Sequence, residues 1–329
     1  VVGARLKAEH GADDLLRDVK LAPARQILAR ALEARHVEHA AHEAREPARL
    51  VGDGGEVLVL LILGDRAVEN AVGKAGDGGH GGLELVRDVG DEGVAALKTL
   101  GVGGFNVTMP DKTAVTKLLD DISPAAKLIG ACNTVTVSPD GKLTGYNTDG
   151  IGFVRNLAEH GVKVAGQKIV LLGAGGAATA IAVQAALDGA AEIHIFNRQD
   201  EFYPNAQLTV EKLTKAVPDC IVSVQPLEDG EALAAAVKDC DILVNATKVG
   251  MKPLDGQSLI PEALLRKDLV VADTVYNPRE TRLILDAKAA GCKAAVGGIG
   301  MLLWQGVEAF RLFTGKDMPA QEVLEKFFS

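Results

Sequence analysis

KIVLLGAGGAATA, residues 168–180, decides how this chain folds. Lys168 to Leu172 is a short apolar run with β-branched members, the pattern of a strand buried on both faces of a parallel sheet. Gly173, Ala174, Gly175, Gly176 and Ala177 then make a turn whose missing or small side chains let backbone approach a pyrophosphate. Ala178 is small where the next helix must pack on the strand. The pattern predicts that this helix runs to about Asp188, that Gly189 ends it and that Glu192 to Phe196 forms the next strand. Asn197, Arg198 and Asp200 follow. Asp200 stands 24 residues after Gly176, close to the spacing of roughly 20 at which an acid accepts ribose hydroxyls. A glycine turn alone says little; strand, turn, helix, strand and acid in order predict a dinucleotide-binding βαβ unit.

Asp200 also bears on which dinucleotide is bound. A carboxylate at the ribose edge repels a 2′-phosphate, while Arg198 attracts one, so NAD is expected to be favoured and NADP tolerated.

The chain has 329 residues, enough for two domains with sizeable cores. Its net charge of −9 and the lack of any basic run argue against a nucleic-acid partner. Cys132, Cys220, Cys240 and Cys292 are scattered, so neither a disulfide framework nor a metal site is expected, and a reducing cytoplasm fits. The longest apolar run, Val57 to Leu63, falls far short of the roughly 18 residues of a membrane span. No signal-peptide pattern opens the chain. A small-molecule partner is therefore expected, with no membrane association, in a monomer or homodimer.

Composition breaks near residue 92. No serine precedes Ser123, the first Phe is Phe105, and five of the seven histidines fall before the break. Residues 1–92 are thus an atypical N-terminal region, either a native extension or the product of a misassigned frame or start, with Val1 in place of Met. Within it, Asp13 to Glu43 has helical character broken near Pro23, and Val57 to Leu63 suits one strand. His36, His39 and His42 fit an exposed helix face better than a metal site, and Gly76 to Gly82 fits a flexible loop.

Beyond the break, predicted elements crowd together. Gly93 to Leu100 suits a helix, Gly104 to Thr108 a strand, and Lys112 to Leu119 a helix. Ile129 to Val137 and Leu143 to Asn147 suit a hairpin turned by Pro139, Asp140 and Gly141. Ile151 to Glu159 is a linking helix. Strands are expected at Ile221–Gln225, Asp241–Ala246, Leu269–Asp273 and Ala294–Val296. Helices are expected at Gly230–Val237, Thr281–Ala290, Met301–Thr314 and Ala320–Phe328. The alternation predicts an α/β protein: a Rossmann-like doubly wound parallel sheet plus an α/β substrate domain, the latter incomplete or atypical at its N-terminus. The expected domains are 93–150 plus 301–329 for substrate and 151–300 for NAD.

Oxidising an alcohol with NAD needs a group that removes the hydroxyl proton. Lys112 follows NVTMPD at a strand-to-helix turn and Asp149 sits in YNTDG before a helix, so Asp149 would orient Lys112 if the two met. Taken singly, either is an ordinary surface charge. Asn133 alone is a turn residue, Gln305 an exposed helix position, Lys248 a solvated loop charge and Tyr276 a turn brace.

In order along the chain stand GFNVTMPDK, GACNTV, GYNTDG, GAGGAATA, NRQDEF, NATKVGMKP, VYNP and GMLLWQG. Residues from about Gly93 to Ser329 therefore resemble the shikimate dehydrogenase family, in its quinate/shikimate dehydrogenase branch. The resemblance implies NAD(P)-dependent oxidation of quinate or shikimate, with Lys112 and Asp149 as the catalytic pair. It implies that Thr108, Asn133, Tyr276 and Gln305 hold the substrate. On the cofactor side it implies Gly173 to Ala177, Asn197, Arg198, Asp200, Lys248, Thr274, Val275, Tyr276, Asn277 and Gly298. NRQDEF, in place of an NRT-type sequence, is the form of the NAD-using branch.

One departure stands beside the match. Family members open with an SHSLSP-type segment whose two serines bind the substrate carboxylate, and this chain has no serine there. Two outcomes follow: an active dehydrogenase, or a nucleotide-binding protein impaired by loss of that clamp, at roughly 1.5–3 kcal/mol per charge-assisted bond.

Overall fold

A computed structural model describes residues 102–328 together with two strands, β1 (Val57–Leu63) and β2 (Arg66–Gly73). Apart from β1, which was expected, the expectations for residues 1–92 and for a helix at Gly93–Leu100 lie outside the described residues. The chain divides into two compact units. Among the described residues, one holds those up to Ala126, Gly130–Tyr146 and Leu312–Thr314. The other holds Lys127–Ile129, Asn147–Arg311 and Gly315–Ser329.

In the first unit, β3 (Val102–Asn106), β4 (Asp121–Ile122), β5 (Thr134–Val137) and β6 (Leu143–Tyr146) join β1 and β2 in one sheet of order β2-β1-β3-β5-β6-β4. All pairings are antiparallel except that of β4 with β6. The hairpin of β5 and β6 forms as predicted, with Val135 opposite Gly145. Phe105, Val115, Ala126, Cys132, Val135 and Leu143 make the core beneath it.

Two local expectations are corrected here. The helix expected over Lys112–Leu119 shrinks to a single 3-10 stretch, Ala114–Leu118. Thr113, Val115 and Thr116 are β-branched, and the Thr116 hydroxyl donates to the Thr113 carbonyl at 2.6 Å, a local bond that competes with helical pairing. Ile129, expected in a strand, instead ends a short helix, α1 (Pro124–Ile129), which Ser123 caps through the Ala126 N–H.

The second unit is the doubly wound sheet. Its strands are β7 (Lys168–Leu172), β8 (Glu192–Asn197), β9 (Ile221–Pro226), β10 (Ile242–Asn245), β11 (Val270–Asp273) and β12 (Ala294–Val296). They run parallel in the order β12-β11-β10-β7-β8-β9. The strand order therefore reverses between β7 and β10, the point outside whose carboxyl ends an open α/β sheet binds its ligand.

The helices are α2 (Asp149–Glu159), α3 (Gly176–Leu187), α4 (Tyr203–Ala216), α5 (Gly230–Asp239), α6 (Arg282–Ala289), α7 (Ile299–Thr314) and α8 (Ala320–Phe327). Helix α3 is apolar on every side and buried, with Ala180, Ile181 and Ala182 fully covered. Val170, Leu172, Leu243, Val271, Leu233 and Leu283 fill one core layer against α5 and α6. No helix among the described residues is long and apolar enough to cross a membrane.

Candidate active site

The glycine turn lies where the strand order reverses. Gly173 has φ +112°, and a Cβ there would sit 2.8 Å from the Ala246 carbonyl, so only glycine lets β7 turn beside the segment after β10. Added side-chain carbons at Gly175 and Gly176 would meet nothing within 4 Å. Helix α3 starts at Gly176 without a side-chain cap. An open glycine cradle leading into an uncapped helix N-terminus fits a pyrophosphate, which the first-turn N–H groups and the helix dipole favour.

Asp200 is held in place by its neighbours. Its Oδ1 accepts from Asn197 Nδ2 at 2.9 Å and from the Phe202 N–H at 3.0 Å, while Arg198 Nε lies 3.9 Å from Oδ2. Asn197 is buried and also donates to the Arg198 carbonyl, so it shapes the turn, whereas the Arg198 side chain is exposed. The structure thus brings Asn197, Arg198 and Asp200 together at the carboxyl end of β8.

The segments after β10 and β11 meet beside the turn. Lys248 is exposed on the loop 246–250. Thr274 donates its N–H to the Asn245 carbonyl at 2.9 Å, and Gly298 donates to the Val275 carbonyl at 3.2 Å. A Cβ at Gly298 would come within 2.4 Å of the Thr274 carbonyl oxygen. Tyr276 and Asn277 are exposed and Val275 is buried. Asp273 anchors this region although the sequence patterns gave it no role. Its Oδ1 accepts from Asn245 Nδ2 and the Val275 N–H, both at 2.9 Å, and its Oδ2 accepts from the Thr281 hydroxyl at 2.6 Å. Burial pushes its carboxyl above the usual aspartate range, against the pull of these bonds.

In the first unit, backbone bonds gather three of the expected residues. Val107 donates to the Asn133 carbonyl and Cys132 to the Lys112 carbonyl, each at 2.8 Å. Thr108, Lys112 and Asn133 are thereby set on adjoining segments. Asn133 is buried, and its Oδ1 accepts from the Thr134 hydroxyl at 3.0 Å. That hydroxyl in turn accepts from Asn106 Nδ2 at 3.0 Å, which fixes the orientation of the Asn133 amide. Burial pushes the neighbouring Cys132 thiol up to about 11, so it stays neutral and is no nucleophile at pH 7.

In the second unit, Asp149 opens α2, its N–H donating to Asn147 Oδ1 at 3.1 Å. Thr148 donates to Gln305 Oε1 at 3.4 Å, so the ends of Asp149 and Gln305 share one neighbourhood. Gly152 makes that approach feasible: a Cβ there would sit 2.6 Å from the Gln305 nitrogen and 2.8 Å from the Met301 carbonyl oxygen. Gly150 plays the same part toward α3, where a Cβ would meet the Ala180 carbonyl at 2.4 Å. The two glycines of the Asp-Gly-x-Gly run at Asp149–Gly152 carry both contacts, a signal the motif reading passed over. Arg155, one turn along α2, stacks over Trp304 at 4.8 Å from the ring centroid.

A six-stranded parallel sheet with an open glycine turn at its reversal point and an acid closing its second strand defines a dinucleotide-binding protein of the Rossmann class. Two family models match the chain: "Shikimate dehydrogenase substrate binding domain" over residues 83–135 and "Shikimate 5'-dehydrogenase C-terminal domain" over residues 298–326. A shikimate dehydrogenase (NADP(+)) of Listeria monocytogenes serotype 4b (strain F2365) is 48% identical over 249 residues, spanning 74% of this chain and 84% of that protein. A quinate/shikimate dehydrogenase of Escherichia coli (strain SMS-3-5 / SECEC) is 49% identical over 233 residues, spanning 70% and 79%. The crystal structure of a Listeria monocytogenes shikimate 5-dehydrogenase in complex with shikimate and NAD superposes with a TM-score of 0.70 at 47% identity, covering 73% of this chain and 82% of that one. Quinate dehydrogenase from Corynebacterium glutamicum in complex with NAD gives 0.65 at 34% identity, covering 71% and 80%. The chain belongs to the shikimate dehydrogenase family and is an oxidoreductase.

Proposed function

We propose that this chain is an NAD-preferring quinate/shikimate dehydrogenase that reversibly oxidises a ring hydroxyl of quinate or shikimate, giving 3-dehydroquinate or 3-dehydroshikimate. NAD, when bound, accepts the hydride. Lys112 removes the hydroxyl proton and Asp149 orients it. Asn133 and Gln305 hold the ring hydroxyls with Thr108 nearby, Tyr276 also binds the substrate, and the substrate domain draws on 93–150 and 301–329. Within the NAD domain, 151–300, the turn Gly173–Ala177 receives the pyrophosphate, and Asn197, Arg198 and Asp200 the adenosine ribose. Lys248, Thr274 to Asn277 and Gly298 face the nicotinamide side. Asp200 repels a 2′-phosphate, so NADP is the weaker cofactor.

The observation that carries this reading is the gathering of Thr108, Lys112 and Asn133 by the Val107 and Cys132 backbone bonds, in a chain 49% identical to a quinate/shikimate dehydrogenase. A second reading is favoured by the lack of serine before Ser123: a nucleotide-binding protein impaired by loss of its carboxylate clamp. Steady-state turnover with quinate and shikimate, each with NAD and NADP, alongside NAD titration, separates the two. Turnover supports the dehydrogenase. NAD binding with no turnover supports the impaired protein, and failure to bind either dinucleotide refutes both.

A further inference from the structure

Asp273 is 1% exposed at the carboxyl end of β11, and three elements converge on its carboxylate. Asn245, at the end of the adjacent strand β10, donates to it and also donates to the Val249 carbonyl at 2.9 Å. The same Asn245 accepts at Oδ1 from the Thr247 N–H and from the Thr247 hydroxyl, and the Val249 N–H donates to that hydroxyl. The loop carrying Lys248 is therefore closed on Asn245, and Asn245 on Asp273. The Val275 N–H bonds the same carboxylate and starts the loop carrying Tyr276 and Asn277. Thr281 ends that loop, capping α6 through the Ile284 N–H while its hydroxyl donates to Asp273. Gly250, with φ +104°, lies against Thr281, where a Cβ would come within 3.0 Å of its methyl carbon.

A doubly wound sheet binds a dinucleotide with its two halves. Strands β7 to β9, with Asp200, form the half that takes the adenosine, which leaves β10 to β12 for the nicotinamide mononucleotide. We infer that Asp273 is the positioning residue of the nicotinamide half: it holds the Lys248 loop and the Tyr276–Asn277 loop in one register through Asn245, the Val275 N–H and Thr281. This rests on the NAD reading above. Removing the carboxylate frees both loops while the glycine turn and Asp200 stay as they are, because neither of them bonds to Asp273.

The test is titration of the full chain with NAD and with ADP-ribose, which lacks the nicotinamide. Asp273→Ala is expected to weaken NAD binding by about tenfold or more while ADP-ribose binding changes less than about twofold. Asp273→Asn is expected to stay within about threefold of the parent for both, since its Oδ1 still accepts from Asn245 and Val275 and its Nδ2 can donate to Thr281. Thr281→Val is expected to move NAD binding in the same direction as Asp273→Ala, by less, and decides the matter if Asp273→Ala does not fold. Equal losses for NAD and ADP-ribose, or no loss for NAD in either variant, would overturn the inference. A parent chain that binds ADP-ribose but not NAD would overturn the NAD reading itself.

Discussion

Replacing Gly152 by alanine puts a methyl group 2.6 Å from the Gln305 nitrogen and 2.8 Å from the Met301 carbonyl oxygen. Carbon contacts settle near about 3.5 Å, so α2 and α7 must part by roughly 1 Å. Both obstructing atoms are backbone and cannot rotate away, which places the cost toward the upper part of the roughly 1–3 kcal/mol typical of overpacking. Alanine returns about 1 kcal/mol through its better helix propensity. A net loss of about 1–2 kcal/mol remains, or a fall in melting temperature of about 2–8 °C for a domain of this size. Because Gln305 and Asp149 lie on the two separated helices, kcat/KM for quinate should fall by about 10–100-fold, the usual effect of a misplacement near 1 Å. Gly306→Ala is the control. It adds a methyl on the partner helix α7, where nothing lies within 4 Å, and should hold or raise the melting temperature by virtue of propensity alone. Calorimetry and steady-state kinetics on both variants decide the matter: an unchanged melting temperature and kcat/KM in Gly152→Ala, or an equal fall in both variants, refutes the close-approach reasoning.

Lys112→Ala should abolish oxidation of quinate and shikimate while NAD titrates as before, and residual turnover near the parent rate would remove Lys112 from the chemistry. Asp200→Ala should narrow the preference for NAD over NADP by about 10–100-fold in kcat/KM, since it removes a charge-assisted bond of roughly 1.5–3 kcal/mol; an unchanged ratio counts against that role. The raised carboxyl of Asp273 means that the folded state holds its proton more tightly than the unfolded chain. Its contribution to stability is thus full below the ordinary value of about 3.9 and lost as pH rises through the raised value. Asp273→Asn should therefore gain stability relative to the parent across that interval and hold a constant difference above it, as followed by denaturant melts at a series of pH values.

The nucleotide half was legible because its signals are local. Lys168–Leu172 and Glu192–Asn197 are continuous apolar strands, and a glycine turn needs no tertiary partner to be recognised. Helix α4 was not legible. Its buried positions, Ala206, Thr209 and Leu213, include one polar and one small residue, so no apolar stripe announces it. The 3-10 stretch after Lys112 went the other way, where a plausible apolar pattern was overruled by β-branched residues and the Thr116 hydroxyl. Asp273 stayed hidden for a different reason. At the end of a buried strand it looks like an ordinary strand terminus, and its weight comes from Asn245 and Thr281, 28 and 8 positions away. Lys112, Asn133 and Gln305 were visible only through the motifs around them, since each residue type alone is common at surfaces and turns.

Trp304 is the chain's single tryptophan, and it sits beneath Arg155 and next to Gln305. Indole emission from the whole polypeptide therefore originates at one address, beside the glutamine we propose for the substrate. An indole covered by a guanidinium shifts its spectrum when that cation moves, and reduced nicotinamide absorbs where indole emits. The protein thus carries its own optical gauge for occupancy of α7, with no label to attach and no second fluorophore of its kind to subtract.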